Sequence, residues 1–236
     1  MSAAGPVALV TGVGPGTGAA IARRLAAGGY RVAMLARTAE RLVEIEESTP
    51  GSYGYPCNLA DLDEVSACVE SVIADHGAPE VLVHNAVRAA FGTFQEIDPA
   101  TLEKVFRVNV SSFLHLSRLL APAMIANGRG AIVATGNTAA HRGKARFAGF
   151  APTKAAQRIL AQSMARDLGP KGVHVAYVTI DAMIDLEWTR AGPGKGKPDE
   201  WFITPEAIAE EVWHVIHQHR SAWSFDVEIR PFGETW

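Results

Sequence analysis

A glycine-rich segment near the start of the chain constrains the fold more than any other feature. Four glycines lie within the eight residues 11–18, between an apolar run at Val7–Thr11 and a helix-like stretch at 19–27. Glycine tolerates positive backbone angles and lets main-chain amides approach a ligand closely, and phosphate charge is favoured at a helix N-terminus. The segment therefore predicts a turn that binds the pyrophosphate of a dinucleotide.

The same alternation of short apolar runs and longer amphipathic stretches continues along the chain. Further strand-like runs occur at Arg31–Ala36, 53–57, Val81–His84, 131–135, 174–180 and 225–229. Helix-like stretches separate them, at Ala39–Glu47, 62–75, 101–126, Ala151–Leu168 and 205–219. Strands that alternate with helices form parallel sheets covered on both sides. We therefore predict an α/β fold, a Rossmann-like doubly wound parallel sheet of about seven strands with helices on both faces.

Composition fits one domain and argues against several function classes. The chain has 236 residues, of which 48% are hydrophobic, so we expect 1–236 to form a single dinucleotide-binding domain. A net charge of −3 offers no basic field for nucleic acid. The two cysteines, Cys57 and Cys68, form no metal-ligand or disulfide pattern, so we expect no metal and a cytoplasmic location. Because no apolar run approaches about 18 residues, we expect no membrane association.

A stretch rich in glycine, proline and lysine at 191–198 predicts a mobile flap, which we place around 186–203. It lies between a strand and the last helix, beside the carboxyl ends of the strands, where ligands bind in such sheets. The apolar and aromatic residues that flank it are Met183, Leu186, Trp188, Trp201 and Phe202. They predict an apolar or aromatic small-molecule substrate, although such residues also pack against their own helix.

Several motifs, taken in chain order, resemble those of the short-chain dehydrogenases/reductases across nearly the whole chain. The pattern at 11–18 is Thr-Gly-x-x-x-Gly-x-Gly, and 57–59 is Cys-Asn-Leu, with Asn where the family usually has Asp. The segment 84–87, His-Asn-Ala-Val, resembles Asn-Asn-Ala-Gly at two positions, and 107–110 carries the family's structural Asn. Residues 150–154, Phe-Ala-Pro-Thr-Lys, lie where Tyr-x-x-x-Lys belongs. The chain is thereby identified as a divergent member of this family.

The resemblance implies a nicotinamide dinucleotide cofactor and the residues that contact it. Those residues are Thr11, Gly12, Gly14, Gly16, Thr17, Gly18, Asn58, Leu59, Asn85, Ala86, Lys154 and Ile184. Arg37 joins them on physical grounds, because a guanidinium after the second strand can meet a 2′-phosphate, whereas an acid there would bind the ribose hydroxyls of NAD. We expect NADP(H), with NAD(H) as the alternative. The other interpretation of Arg37 is a solvated residue in the first turn of a helix.

The resemblance also implies a catalytic group of Asn, Ser, Tyr and Lys, of which this chain keeps half. Asn109 and Lys154 match, but Phe150 stands at the Tyr position and Asn137 at the Ser position. A phenyl ring cannot transfer a proton, and general acid–base catalysis contributes about 10²–10⁴ in rate. The amide of Asn137 could polarise a carbonyl, and we single out His141 as a substitute acid or base.

Other interpretations of these polar residues stay open. His141 can also belong to a solvated polar loop without a catalytic role. Asp181 and Asp185 stand where the family has Gly and Thr, and either carboxylate could transfer a proton if it is buried. Such residues are more often acids of loops and helix caps.

Two functions follow from this pattern. The first is an NADP(H)-dependent oxidoreductase acting on a carbonyl or alcohol with a non-standard proton donor, which Lys154 and Asn109 favour. The alternative, which Phe150 and Asn137 favour, is a non-catalytic NADP(H)-binding sensor or assembly protein. The resemblance implies a homodimer or homotetramer as well. Substrate identity and reaction direction do not follow from the sequence.

Overall fold

The structure is a computed structural model that describes residues 5–233 of the chain. The strands are β1 Val7–Thr11, β2 Arg31–Ala36, β3 Ser52–Pro56, β4 Val81–His84, β5 Gly130–Asn137, β6 Val173–Ile180, β7 Met183–Ile184, β8 Phe202–Ile203 and β9 Asp226–Ile229. The helices are α1 Thr17–Ala27, α2 Ala39–Glu47, α3 Leu62–His76, α4 Pro99–Phe106, α5 Ser112–Ala126, α6 Ala151–Leu168, α7 Glu187–Ala191 and α8 Pro205–Ile216.

Seven of these strands form one parallel sheet in the order β3-β2-β1-β4-β5-β6-β9. Successive side chains of a strand point to opposite faces, so each face has its own apolar core. Helices α3, α5 and α6 cover one core, and helices α1, α2 and α8 cover the other. The order reverses at β1, whose two neighbours are β2 and β4, and a crevice for ligands opens at such a point. The predicted fold class is confirmed.

The helix predicted at 101–126 is wrong as a single element. It consists of α4, a π-helical turn at Arg107–Ser111, and α5. The wider turn carries Asn109, whose buried side chain bonds both backbone groups of Arg88. Such π-helical turns often occur at functional sites.

The helix predicted at 205–219 ends earlier, at Ile216. The ring of His217 donates from Nδ1 to the carbonyl of Trp213 at 2.8 Å and so satisfies the last turn. Helices α3 and α8 both have side-chain caps, and at α3 Asp61 accepts from the amides of Asp63 and Glu64. Thr204 accepts likewise from Ala207.

The segment predicted as a flap has secondary structure of its own. Strands β7 and β8 form a two-stranded parallel sheet, and α7 lies between them. Arg190 holds this unit together, because it bonds Asp185 at 2.5 and 2.8 Å and Asp199 at 2.7 Å and lies 4.5 Å from the ring centre of Phe202. We call the segment 183–203 the flap. Neither the small sheet nor α7 was predicted.

The strand predicted at 225–229 is confirmed as β9, which lies at the edge of the sheet, and residues 234–236 lie outside the described residues. That 1–236 forms a single domain stays a prediction. Within 5–233, no helix has the length and apolar character needed to cross a bilayer. The same range contains no group of three or more His, Cys, Asp or Glu side chains placed to hold a metal ion.

Candidate active site

At two positions of the glycine-rich turn, the backbone conformation or packing permits only glycine. Gly12 has φ of +68°, and a Cβ added there would lie 2.5 Å from the Cα of Ala86. A Cβ on Gly18, in the first turn of α1, would lie 2.5 Å from the carbonyl oxygen of Gly12. Both contacts are with backbone, which cannot move aside cheaply. The turn therefore packs tightly against the end of β4.

The other two glycines, Gly14 and Gly16, lie just before the start of α1. A Cβ on Gly14 would meet no atom of the described chain within 4 Å. Thr17 begins the helix, whose first amides have no acceptor inside the helix. The open approach to Gly14 and the positive helix end fit a bound pyrophosphate. Gly16 is covered from one side, since a Cβ there would lie 2.8 Å from Cδ2 of Leu186 in the flap.

Hydrogen bonds join the glycine-rich turn to the ends of β4 and β5. The amide of Ala86 donates to Thr11 Oγ1 at 3.3 Å, and Asn85 Nδ2 donates to the carbonyl of Gly12 at 3.1 Å. Thr135 Oγ1 donates to Asn85 Oδ1 at 3.0 Å. The side chains of Thr11, Asn85 and Thr135 thus fix the relative positions of the ends of β1, β4 and β5, which would surround a cofactor.

Three further residues predicted at the cofactor lie at the ends of β2 and β3. Arg37 follows β2 directly, is exposed, and has no ion pair or hydrogen bond with any residue in 5–233. Its guanidinium is available to an anion. Asn58 is exposed and accepts from the amide of Ala60, whereas the side chain of Leu59 packs in the core. A contact of Leu59 with a ligand would therefore involve its backbone.

Lys154 lies in the first turns of α6 with only 2% of its surface exposed. Its Nζ donates to the carbonyl of Thr135 at 3.0 Å and to Gln157 Oε1 at 2.5 Å. No carboxylate of the described chain lies within ion-pair distance of this nitrogen. Burial therefore lowers the pKa of Lys154 to about 7.

A chain of buried hydrogen bonds continues from Gln157. Its Nε2 donates to His84 Nδ1 at 3.1 Å, so the imidazole carries its proton on Nε2 and donates to Ser112 Oγ at 3.0 Å. Ser112 donates in turn to the carbonyl of Val108 at 2.6 Å. Burial, followed by the charge of Lys154, lowers the pKa of His84 to about 3 and keeps the ring neutral.

The sequence analysis did not predict this series of hydrogen bonds, although the residues that form it are unusual at their positions. His84 is a polar residue at the end of a buried apolar strand, and Gln157 lies three residues after Lys154 on one side of α6. A buried amide and a buried imidazole each need partners, so their joint occurrence near Lys154 was the available clue.

Phe150, which we predict at the position of the family's Tyr, is 4% exposed and packs against Ala139 and Ala151. Its ring centre lies 5.5 Å from that of Phe91 and 6.3 Å from that of Phe147. A backbone bridge between Gly92 and Phe147 joins the two loops that carry these rings. Sequence reasoning missed Phe91 and Phe147. The side chain of Phe150 thus belongs to an apolar aromatic cluster with no proton to give.

The two Asn residues of the predicted catalytic group differ in position, because Asn109 lies in the middle of the π-helical turn and Asn137 ends β5. Asn109 bonds the backbone of Arg88 and donates to Thr153 Oγ1 at 2.8 Å. Asn137 Oδ1 accepts from the amide of Ala139 at 3.1 Å, and its amide nitrogen has no partner within residues 5–233. Asn109 is therefore committed to structure, whereas Asn137 has N–H groups available to a substrate oxygen.

The other titratable candidates are less well placed than their sequence positions suggested. His141 is exposed, and its Nε2 lies 3.2 Å from Thr179 Oγ1. Neither acid is fully buried. Asp181 lies 3.7 Å from Arg142. Hydrogen bonds from Arg190 lower the pKa of Asp185 and keep it ionised.

Ile184 lies in β7, and its carbonyl accepts from Thr189 Oγ1 at 2.6 Å. That carbonyl is therefore engaged inside the flap. A contact with a carboxamide through the backbone of Ile184, as the resemblance implies, would have to include its N–H group or compete with Thr189.

Comparison with known proteins agrees with this geometry. The family model described as short chain dehydrogenase matches residues 6–184. A D-erythrulose reductase of Gallus gallus is 38% identical over 179 residues, which cover 75% of this chain and 71% of that protein. A 7alpha-hydroxysteroid dehydrogenase of Escherichia coli (strain K12) is 32% identical over 184 residues, 76% of this chain and 72% of that protein.

The similarity extends to the whole fold. The crystal structure of a metagenomic short-chain oxidoreductase in complex with NADP is 32% identical, with a TM-score of 0.84, and the alignment covers 98% of this chain and 99% of that one. The Rossmann-like sheet, the motif order and these relatives agree. This chain belongs to the short-chain dehydrogenase family.

Proposed function

We propose that this protein is an NADP(H)-dependent oxidoreductase that interconverts a carbonyl and an alcohol without a catalytic tyrosine. One observation carries the proposal. An open glycine-rich turn and a buried, counter-ion-free lysine are joined through Thr135, which bonds both Asn85 beside the turn and the Nζ of Lys154. Reductases and dehydrogenases among the relatives, and an NADP complex among the similar structures, support it.

The residues present fit a bound dinucleotide. Gly14 and the start of α1 would hold the pyrophosphate, and Arg37 would meet a 2′-phosphate. When bound, the nicotinamide supplies or accepts a hydride. The amide of Asn137 would donate to the substrate oxygen and polarise the carbonyl.

Aromatic surface near the site supports an apolar or aromatic substrate. Phe91 is 59% exposed and contacts Phe147 and Phe150, while Trp188 in the flap is 67% exposed. Large aromatic side chains left open to solvent at a cleft often mark a binding surface. A homodimer or homotetramer, which the family resemblance implies, and a cytoplasmic location, which we expect from the two cysteines, stay predictions.

Arg37→Ala should weaken NADPH binding about ten- to hundredfold and leave NADH binding nearly unchanged. The expected loss corresponds to one charge-assisted bond to the 2′-phosphate, worth about 1.5–3 kcal/mol. Calorimetric titration of both cofactors checks this result. Arg41→Ala is the matched control, because Arg41 is also exposed but lies one turn into α2. Equal affinity for the two cofactors, insensitive to either substitution, would contradict the NADP preference.

A turnover assay distinguishes the two candidate functions, the oxidoreductase and the non-catalytic sensor. NADPH oxidation should be followed with a panel of aromatic and aliphatic aldehydes and ketones, under conditions in which calorimetry shows the cofactor to be bound. Reduction of any panel member that depends on Asn137 and Lys154 supports the oxidoreductase. Tight cofactor binding with no turnover across the panel would favour the sensor, which Phe150 at the tyrosine position makes a real alternative.

A further inference from the structure

The tyrosine position holds a phenyl ring, so a proton for the substrate must come from another group. The carboxylate of Asp185 is held ionised by Arg190 and does not donate a proton. Tyr177 is the phenol nearest to Lys154, but it is fully buried and its hydroxyl donates to the carbonyl of Lys154 at 3.5 Å. Burial raises the pKa of Tyr177, which makes it a poor acid.

Lys154 has the hydrogen-bond geometry of a group that can exist as a neutral amine. Within the described residues its Nζ has two acceptors, the carbonyl of Thr135 and Oε1 of Gln157. A neutral amine has two N–H groups and one lone pair, so these acceptors use both of its N–H groups. The third position of Nζ has no protein partner in the described chain. It is the position through which the amine would have to take up or release a proton.

The bonds beyond Gln157 fix this arrangement. Gln157 can give its oxygen to Lys154 only if its Nε2 faces His84, and His84 can accept only if it is neutral and protonated on Nε2. Ser112 completes the chain by accepting from His84 and donating to Val108. Every member is neutral. The chain therefore orients Nζ without supplying the negative charge that would hold its proton.

We propose that Lys154 itself is the proton donor and acceptor of this site, and that Gln157 and His84 are positioning residues that keep its amine able to exchange a proton. This inference rests on the proposed oxidoreductase function. During reduction an Nζ–H bond breaks and an O–H bond forms at the carbonyl oxygen. The two electrons arrive with the hydride that a reduced nicotinamide supplies to the carbonyl carbon. Lys154 is left neutral and regains its proton from water.

The charged and titratable groups around Lys154 are consistent with this role. His84 of β4 and Tyr177 of β6 face it, and both are neutral at pH 7 because of their shifted pKa values. The ion pair of Arg158 and Asp226 also acts on Tyr177, but Arg158 lowers its pKa whereas Asp226 raises it, so the two effects oppose each other. A pKa of about 7 for Lys154 predicts that reduction is fastest below pH 7, and that alcohol oxidation is fastest above it.

The first test needs neither cofactor nor substrate. Urea unfolding of the full chain should be measured from pH 6 to 10 for the wild type, Lys154→Met and Lys171→Met. The unfolded chain holds the lysine proton up to a pKa of about 10.4, whereas the folded chain releases it near 7, so folding becomes more favourable as pH rises between these values. Relative to Lys154→Met, the wild-type unfolding constant should fall about tenfold per pH unit between about pH 7.5 and 9.5.

Lys171→Met, which removes an exposed lysine paired with Asp167, should follow the wild type. A constant difference between the wild type and Lys154→Met across this range would overturn the proposal, because the folded amine would then hold its proton like an ordinary lysine.

The second test is the pH dependence of carbonyl reduction at saturating NADPH. Gln157→Glu places a carboxylate beside Nζ, so the midpoint at which reduction declines should move upward by at least about one pH unit. An unmoved midpoint would overturn the role of Lys154. A loss above tenfold on His141→Ala, with none on Lys154→Arg, would assign the proton to the imidazole and also overturn it.

Failure of the proposed function has a different signature. It appears as absence of turnover by the wild type on every carbonyl tested while NADPH is bound. The donor role would fall with it, even if the unfolding data placed the pKa of Lys154 near 7.

Discussion

Lys154→Met should slow carbonyl reduction about 10²- to 10⁴-fold at saturating NADPH and substrate. This range is what a general acid contributes, and the substitution removes the one buried amine of the candidate site. The thioether fills similar space without a proton, so the packing of α6 on β5 should persist. Single-turnover oxidation of bound NADPH checks the result, because it excludes an effect on cofactor affinity.

Lys154→Arg is the matched variant for this prediction. A guanidinium keeps the positive charge and donates hydrogen bonds, but it does not release a proton near neutral pH. If Lys154 donates the proton, Lys154→Arg should be nearly as slow as Lys154→Met. Activity of Lys154→Arg within tenfold of the wild type would show instead that the charge, and not the proton, is what the site needs.

Gly136→Ala should destabilise the protein by about 3 kcal/mol. A Cβ at this position would lie 2.2 Å from both Cζ and the hydroxyl oxygen of Tyr177, whose fully buried ring extends from β6 over β5. Neither group can move without opening the core between β5, β6 and α6, and overpacking of this kind costs about 1–3 kcal/mol or more. Urea unfolding monitored by circular dichroism measures the effect.

A double substitution tests the cause. Tyr177→Ala alone leaves a cavity and should cost about 3–5 kcal/mol, but it also makes room for a methyl group at Gly136. The combined variant should therefore be more stable than the sum of the two losses predicts. Strict additivity would mean that the methyl group of Gly136→Ala is accommodated in some other way.

The layered sheet could be predicted from the sequence because its determinants are local. Buried parallel strands such as Val81–His84 are short apolar runs, and the glycine-rich turn lies at a fixed place between β1 and α1. Asp61 and Thr204 are of residue types that favour the N-cap of a helix, and each directly precedes one. These signals lie within a few residues of one another, so they do not depend on knowing the tertiary contacts.

The chain of hydrogen bonds behind Lys154 depends on distant residues and could not be read in this way. Gln157 and His84 are 73 positions apart in sequence, and the residues around either one do not indicate that the two side chains are in contact. The flap strands of two residues each are too short to show a period. The role of Arg190 depends on Asp185 and Asp199 approaching it from both sides, which only the folded flap reveals.

The closeness of Leu186 to Gly16 bears on how a cofactor would enter and leave the site. Leu186 belongs to the flap and covers the N-terminal end of α1 from one side. A dinucleotide whose phosphates bind at that helix end would lie beside Leu186 and contact the flap. The flap would then settle over the dinucleotide and complete the wall of the substrate cleft. We therefore expect substitutions of Leu186 to change the rate at which the cofactor is released.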